Sequence, residues 1–130
     1  MSTTVPVMTF NTVDNIRASA SLGAGASANA DVDYSGAFEA QVHIKNTPGG
    51  TVAATRGLKI EIFKRTGNTP TTADSPVMTF YLPSAVASTA ESIDIFLSTG
   101  KYNIKVTNLD AANAITVAVG ADTVANLTTT

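Results

Sequence analysis

The chain has 130 residues, of which 44% are hydrophobic and 14% charged, with a formal net charge of -2 and no cysteine. The length suits one domain, and the charged share is about half the usual one; the 10 Ser and 20 Thr make the surface rich in hydroxyls rather than ions. Zinc ribbons, iron–sulfur sites, thiol nucleophiles and redox dithiols are excluded by the missing cysteines, and the mildly acidic balance offers no polybasic attraction for nucleic acid or anionic lipid.

The chain opens Met-Ser-Thr-Thr-Val-Pro-Val-Met-Thr-Phe, without the basic start, apolar run and cleavage site of a secretory signal, so no cleaved leader is expected. No apolar stretch approaches the roughly 20 residues of a membrane-spanning helix. Residues 1–12 read as an extended N-terminal arm: they are uncharged and carry Val5, Val7, Met8 and Phe10 as candidate partner-binding residues. From 13 to 127 the pattern is that of one β-sandwich domain, and 128–130 reads as a flexible tail.

Within the domain, apolar and polar residues alternate with the period of strands that have one wet face. The alternation predicts eight strands: Ile16–Leu22, Ala30–Tyr34, Ala37–Lys45, Leu58–Ile62, Val77–Leu82, Ile93–Leu97, Tyr102–Val106 and Ile115–Val119. Turn chemistry separates them at Gly23-Ala24-Gly25, Asn46 to Gly50, Thr66 to Pro70, Ser98-Thr99-Gly100 and Asn108-Leu109-Asp110. Ser84 to Glu91 is Ala-rich and begins with a serine suited to capping, but it spans barely two turns and reads as a crossover loop with room for one helical turn. The long segments Asn46 to Gly57 and Thr66 to Pro76 read as connections that cross between sheets or project from the end of the sandwich. The predicted fold is all-β: an antiparallel sandwich, a jelly roll of about eight strands, with the N-terminal arm ahead of it. Its predicted core is Phe38, Val42, Ile44, Leu58, Ile60, Ile62, Ile93, Ile95, Tyr102, Ile104, Val106, Ile115 and Val117.

One repeat is literal, since Pro6-Val7-Met8-Thr9-Phe10 recurs as Pro76-Val77-Met78-Thr79-Phe80. Their separation matches no solenoid or propeller period. The repeat is either coincidence or a sign that the first copy is able to lie in a slot like that of the second, as edge strands do when one chain augments another's sheet.

Residues that carry chemistry are sparse. The single histidine, His43, alternates with Glu39, Gln41 and Lys45 on a wet strand face, and no Gly-x-Ser-x-Gly elbow accompanies it. Asp31 and Asp33 lie on one side of a strand, where they could share a cation, but further oxygen ligands are missing around them. Gly23-Ala24-Gly25-Ala26-Ser27 lacks the third glycine of a dinucleotide loop and the lysine of a phosphate-binding loop, so it reads as a turn. Arg56, Lys64 and Arg65 form the densest basic cluster and, with Phe63, could flank a nucleic-acid groove; in an acidic protein they read more simply as a solvated strand end. Asn126-Leu127-Thr128 matches a glycosylation acceptor, a pattern common in Thr-rich tails. No catalytic, metal or cofactor-binding residue is assigned, and the protein is expected not to be an enzyme.

Glu91 to Asn108, which includes Gly100-Lys101-Tyr102-Asn103-Ile104-Lys105-Val106, followed by Ala114 to Val119, resembles the closing strands of small β-sandwich proteins of tailed bacteriophages. Leu22 to Asp33 is similar to the small-residue, Asp-bearing opening hairpin of the same group, the capsid decoration or cement proteins. The resemblance implies a non-enzymatic virion protein without cofactor, made in the host cytoplasm, that binds the major capsid protein on the outer capsid surface. It also implies a homotrimer that ties capsomers together, with neither nucleic acid nor membrane as partner. The alternative is a carbohydrate-binding or host-recognition sandwich of a phage tail, for which Tyr34, Tyr81 or Tyr102 would have to stand open on a concave face. A bacterial surface or pilus protein is a third reading, and it would need a secretion signal.

Overall fold

The computed structural model describes residues 6–10, 14–48, 57–65, 75–82, 90–110 and 112–129. Among these residues it is all-β, with nine strands: β1 (Pro6–Phe10), β2 (Asp14–Leu22), β3 (Ser27–Asp33), β4 (Glu39–Pro48), β5 (Leu58–Lys64), β6 (Met78–Leu82), β7 (Glu91–Ser98), β8 (Lys101–Asn108) and β9 (Ile115–Thr129). All pairings are antiparallel. One sheet has the order β1-β9-β4-β7 with β2 also on β9, and the other has the order β3-β8-β5-β6.

β9 is the spine of the first sheet. β4 runs along it from Ile115 to Val124. β2 pairs with it from Ile115 to Ala121, and β1 from Val124 to Thr129. Because Val124 already faces Glu39 of β4, its pairing with Phe10 places β1 on the edge that β2 occupies, so β1 and β2 are two lengths of one interrupted strand. Both sheets are thus four strands wide. The pairs β2 with β9, β3 with β8, β4 with β7 and β5 with β6 are nested like the rungs of one long hairpin, with its tip at the β5–β6 connection.

Strand alternation decides what lies between the sheets. On β4, Ala40, Val42 and Ile44 are buried while Gln41, His43 and Lys45 point outward, as the period-2 pattern requires. They meet Leu58, Ile60 and Ile62 of β5, Ile104 and Val106 of β8, and Val117, Val119 and Ala121 of β9 in one core that draws on both sheets. β8 is central in its sheet and is buried on both faces at its start, since Tyr102, Asn103 and Ile104 are all covered. Its outward Asn103 sits in register with Phe63, which is buried yet stands apart from the main core.

Two turns need glycine. Gly25, at φ 68°, donates its N–H to the Asp110 carbonyl at 2.9 Å, and Gly100, at φ 144°, turns β7 into β8 against the Tyr102 ring; both lie in the region that other residues rarely adopt.

Several expectations are corrected. Phe38 is 61% exposed, because β4 starts one residue later and the chain bends at Phe38, so the alternation of the strand does not extend to it. Ile93 is only half-buried, packed against the rim of the core. β2 keeps no clean alternation, since its register on β9 slips on both sides of Arg17, leaving Ala18 and Ala20 exposed. β9 continues ten residues beyond the predicted Val119, and Thr128 and Thr129, expected in the tail, pair with Val7 and Pro6. The predicted crossover at 84–91 lies mostly outside the described residues; Glu91 belongs to β7.

Candidate functional site

Three of the four arm residues, Val7, Met8 and Phe10, fall in β1, with backbone partners Thr128, Leu127 and Val124. Val5 lies outside the described residues. β4 ends its pairing with β9 at Glu39 and Val124, with the Phe38 N–H donating to the Val124 carbonyl at 2.8 Å. Beyond that point β1 and the end of β9 form a two-stranded ribbon, and among the described residues no other strand pairs with either. No charged residue occurs in 1–13 or 123–130, so the ribbon is neutral on both strands. The candidate glycosylation acceptor Asn126-Leu127-Thr128 lies within it.

The outer face of the first sheet carries a titratable cluster that joins three strands. His43 on β4 stands between Asp94 on β7 and Asp122 on β9, with Nδ1 2.5 Å from Asp94 Oδ1 and Nε2 2.9 Å from Asp122 Oδ2. Only the imidazolium carries protons on both nitrogens. The hydrogen bonds that the ring donates to Asp94 and then to Asp122 raise its pKa above the ordinary value, and partial burial opposes them. Lys45 follows on the same face two residues along β4, and Gln41 precedes, in register with Phe96 on one side and Asp122 on the other. The geometry is that of a cross-strand ion cluster.

Asp31 and Asp33 stand on one side of β3, as expected, but each has its own partners. Asp31 accepts from Asn103 Nδ2 at 2.7 Å and lies 3.6 Å from Arg65 Nε. Asp33 accepts from the Ser35 hydroxyl and backbone N–H at 2.5 and 2.9 Å, which hold its carboxyl below the usual range, and it lies 3.9 Å from Lys101 Nζ. The described residues contain no group of three or more acids or histidines placed to hold a metal ion. The basic cluster is dispersed in the same way, with Arg65 turned to Asp31 and the Val32 carbonyl and Lys64 Nζ 5.8 Å from the centre of the Tyr102 ring. Arg56 lies outside the described residues. Gly23 to Ser27 forms the predicted turn, closed by the Ala26 N–H on the Gly23 carbonyl at 3.0 Å.

Of the three tyrosines, Tyr34 and Tyr102 are buried and Tyr81 is 61% exposed. The Tyr102 hydroxyl donates to the Ser98 carbonyl at 3.1 Å, and Thr99 Oγ1 donates to the Tyr34 backbone carbonyl at 3.1 Å, so the Tyr102 side chain and the Tyr34 backbone fasten the turn between β7 and β8. Two concavities open among the described residues. A cavity of about 130 Å³ opens between β2 and β3, lined by Ile16, Arg17, Ala28, Asn29, Ala30, Ile104, Val106 and Val119, where β2 slips in register and the alanines of β3 leave a gap. A notch of about 260 Å³ lies beside Phe38, between Ser35 to Ala37 and Thr99.

Sequence reasoning missed one structural hub. Asn108, at the end of β8, is fully buried, and its Nδ2 donates to the carbonyls of Leu22, Gly23 and Asn113 at 3.2, 3.1 and 2.8 Å while Oδ1 accepts from the Asp110 N–H at 3.0 Å. The turn at Asn108 to Asp110 was legible, but its clasp on the β2–β3 turn needs a partner 85 residues away. Comparison of the chain with models of known protein families and with curated proteins finds no match in either.

Proposed function

We propose that the chain is a non-enzymatic capsid decoration protein of a tailed bacteriophage, a sandwich of jelly-roll type that binds the major capsid protein on the outer shell and ties capsomers together as a homotrimer. The nested order of the four strand pairs supports the jelly roll, whose two sheets hold the first, eighth, third and sixth strands and the second, seventh, fourth and fifth. The observation that carries the function is the ribbon of β1 and the end of β9: a neutral, partly apolar two-stranded projection with open edges, which in isolation is marginal in water and gains by docking on a partner. The hydroxyl-rich surface and the dispersed acids and bases fit a protein that works by contact. Against the tail-module reading, two of the three tyrosines that would stack on sugars are buried; Tyr81 alone is on its side.

Cryo-electron microscopy of the native assembly tests the proposal. Sandwich density on the outside of an icosahedral shell, with residues 6–10 and 124–129 at the contact, is the expected result; density only at a tail tip overturns it.

A further inference from the structure

We propose that the edge of β6 away from β5, on which no other strand pairs among the described residues, is a self-association surface, on which a second copy of this chain pairs its own β6 antiparallel to continue the four-stranded sheet into one of eight. The inference is independent of the capsid reading.

Edge strands are often guarded by charge or by irregular register, and the edges formed by β2, β3 and β7 follow that rule, whereas the β1–β9 ribbon is the neutral exception already assigned to a partner. β3 carries Asp31 and Asp33, and β7 carries Glu91 and Asp94. β2 slips twice in register around Arg17. β6 is short and flanked by Pro76 and Pro83, but it has neither charge nor irregular register to guard it. No charged residue occurs from Ser75 to Ala90, the register on β5 is unbroken from Leu58 with Leu82 to Ile62 with Met78, and Val77 and Tyr81 are 55% and 61% exposed.

Charge also selects the occupant. Around a two-fold axis an edge meets its own charges, so the acidic edges of β3 and β7 repel themselves, whereas neutral β6 is compatible with itself. The outward residues Val77, Thr79 and Tyr81 are centred on Thr79. Antiparallel pairing about that residue sets Val77 against Tyr81 of the second copy and Thr79 against its own counterpart, two of the favourable cross-strand combinations. The charged neighbours one strand inward, Lys59 and Glu61, lie 3.6 Å apart and face each other rather than the edge. Such a contact doubles whatever particle carries it, monomer or trimer.

The test is sedimentation of the full chain over a concentration series, with far-UV circular dichroism confirming that each variant is folded. Wild type should reach about twice the mass of Val77→Glu/Tyr81→Glu, in which like charges meet across the axis. Val77→Lys/Tyr81→Glu puts opposite charges in the same two positions and should recover the wild-type mass. The proposal is overturned if wild type gains no mass with concentration, or if the two double variants behave alike. It is also overturned if deleting residues 2–10 abolishes association that the double-glutamate variant retains, because the occupant would then be β1 of the second copy.

Discussion

Along β9, the stretch from Ile115 to Val124 and the stretch from Ala125 to Thr129 differ in what lies beside them. The first has β4 on one edge and mostly β2 on the other, and it sends Val117, Val119 and Ala121 into the core. The second has β1 alone. One strand therefore passes from a region with core side chains and neighbours on both edges, where burial contributes roughly 25 cal/mol per Å² of apolar surface, to one whose described pairing is with β1 alone. The lesson is that strand formation and stability separate within a single element: the body should respond to small changes in side-chain volume, and the ribbon should be removable.

The sharpest way to break that contrast is to cut into the body. Ile60 is fully buried between the sheets, and Ile60→Ala should cost roughly 2 to 5 kcal/mol, read as a lower urea midpoint at unchanged slope. If neither this variant nor Ile104→Ala moves the midpoint, the sheets do not pack through these residues, and the assigned inward face is wrong.

Asn108→Ala comes next. It strips donors from three carbonyls and leaves the Asp110 N–H without its side-chain acceptor, so it should cost about 1 to 3 kcal/mol. The loss should be accompanied by faster hydrogen exchange at Gly25 and Ala26, whose turn the asparagine clasps. A uniform loss of protection with no local excess there would count against the clasp.

His43 has a smaller effect with a defined sign. Its pKa is raised in the folded state above the ordinary 6.5, by Asp94 first and then Asp122. The stabilisation is therefore present in full below the ordinary value and fades as pH rises through the raised one. His43 and both partners are about a third or more exposed, which limits the whole cluster to about 1 kcal/mol. The stability difference between wild type and His43→Gln, followed by denaturation from mildly acidic to alkaline pH, should shrink as pH rises. A difference that stays constant, or grows, would show that the cluster is not the source.

These cases also separate what alternation reveals from what it hides. The inward faces of β4, β5, β8 and β9 were legible because period 2 combines with uninterrupted pairing, and Val42, Ile44, Ile60, Ile62, Ile104, Val106 and Val117 all reach the core. Alternation failed where the backbone leaves regular pairing, at the bend before β4 that exposes Phe38 and at the slips in β2. It was also silent on long-range partners. His43 looked like a lone wet-face residue because Asp94 and Asp122 are brought beside it only by β7 and β9, from 51 and 79 residues away. Thr128 and Thr129 read as part of a tail because a run of threonines has no apolar period, and their pairing depends on the opposite end of the chain.

Removing residues 2–10 should have the least effect on folding, and the comparison within β9 gives the reason. The deletion takes away β1, whose described pairing is with residues 124–129 of β9, and leaves untouched the nested pairs that enclose the core. The melting temperature of the body should change by less than Asn108→Ala changes it. Binding to the partner proposed for the ribbon should fall, while the self-association proposed for β6 should persist. Pro6 supplies no N–H, so a new partner strand must engage after it or along the edge where that donor is not needed. If the truncated chain unfolds while its surviving folded fraction binds at full strength, β1 is part of the structural core, and the division drawn along β9 is in the wrong place.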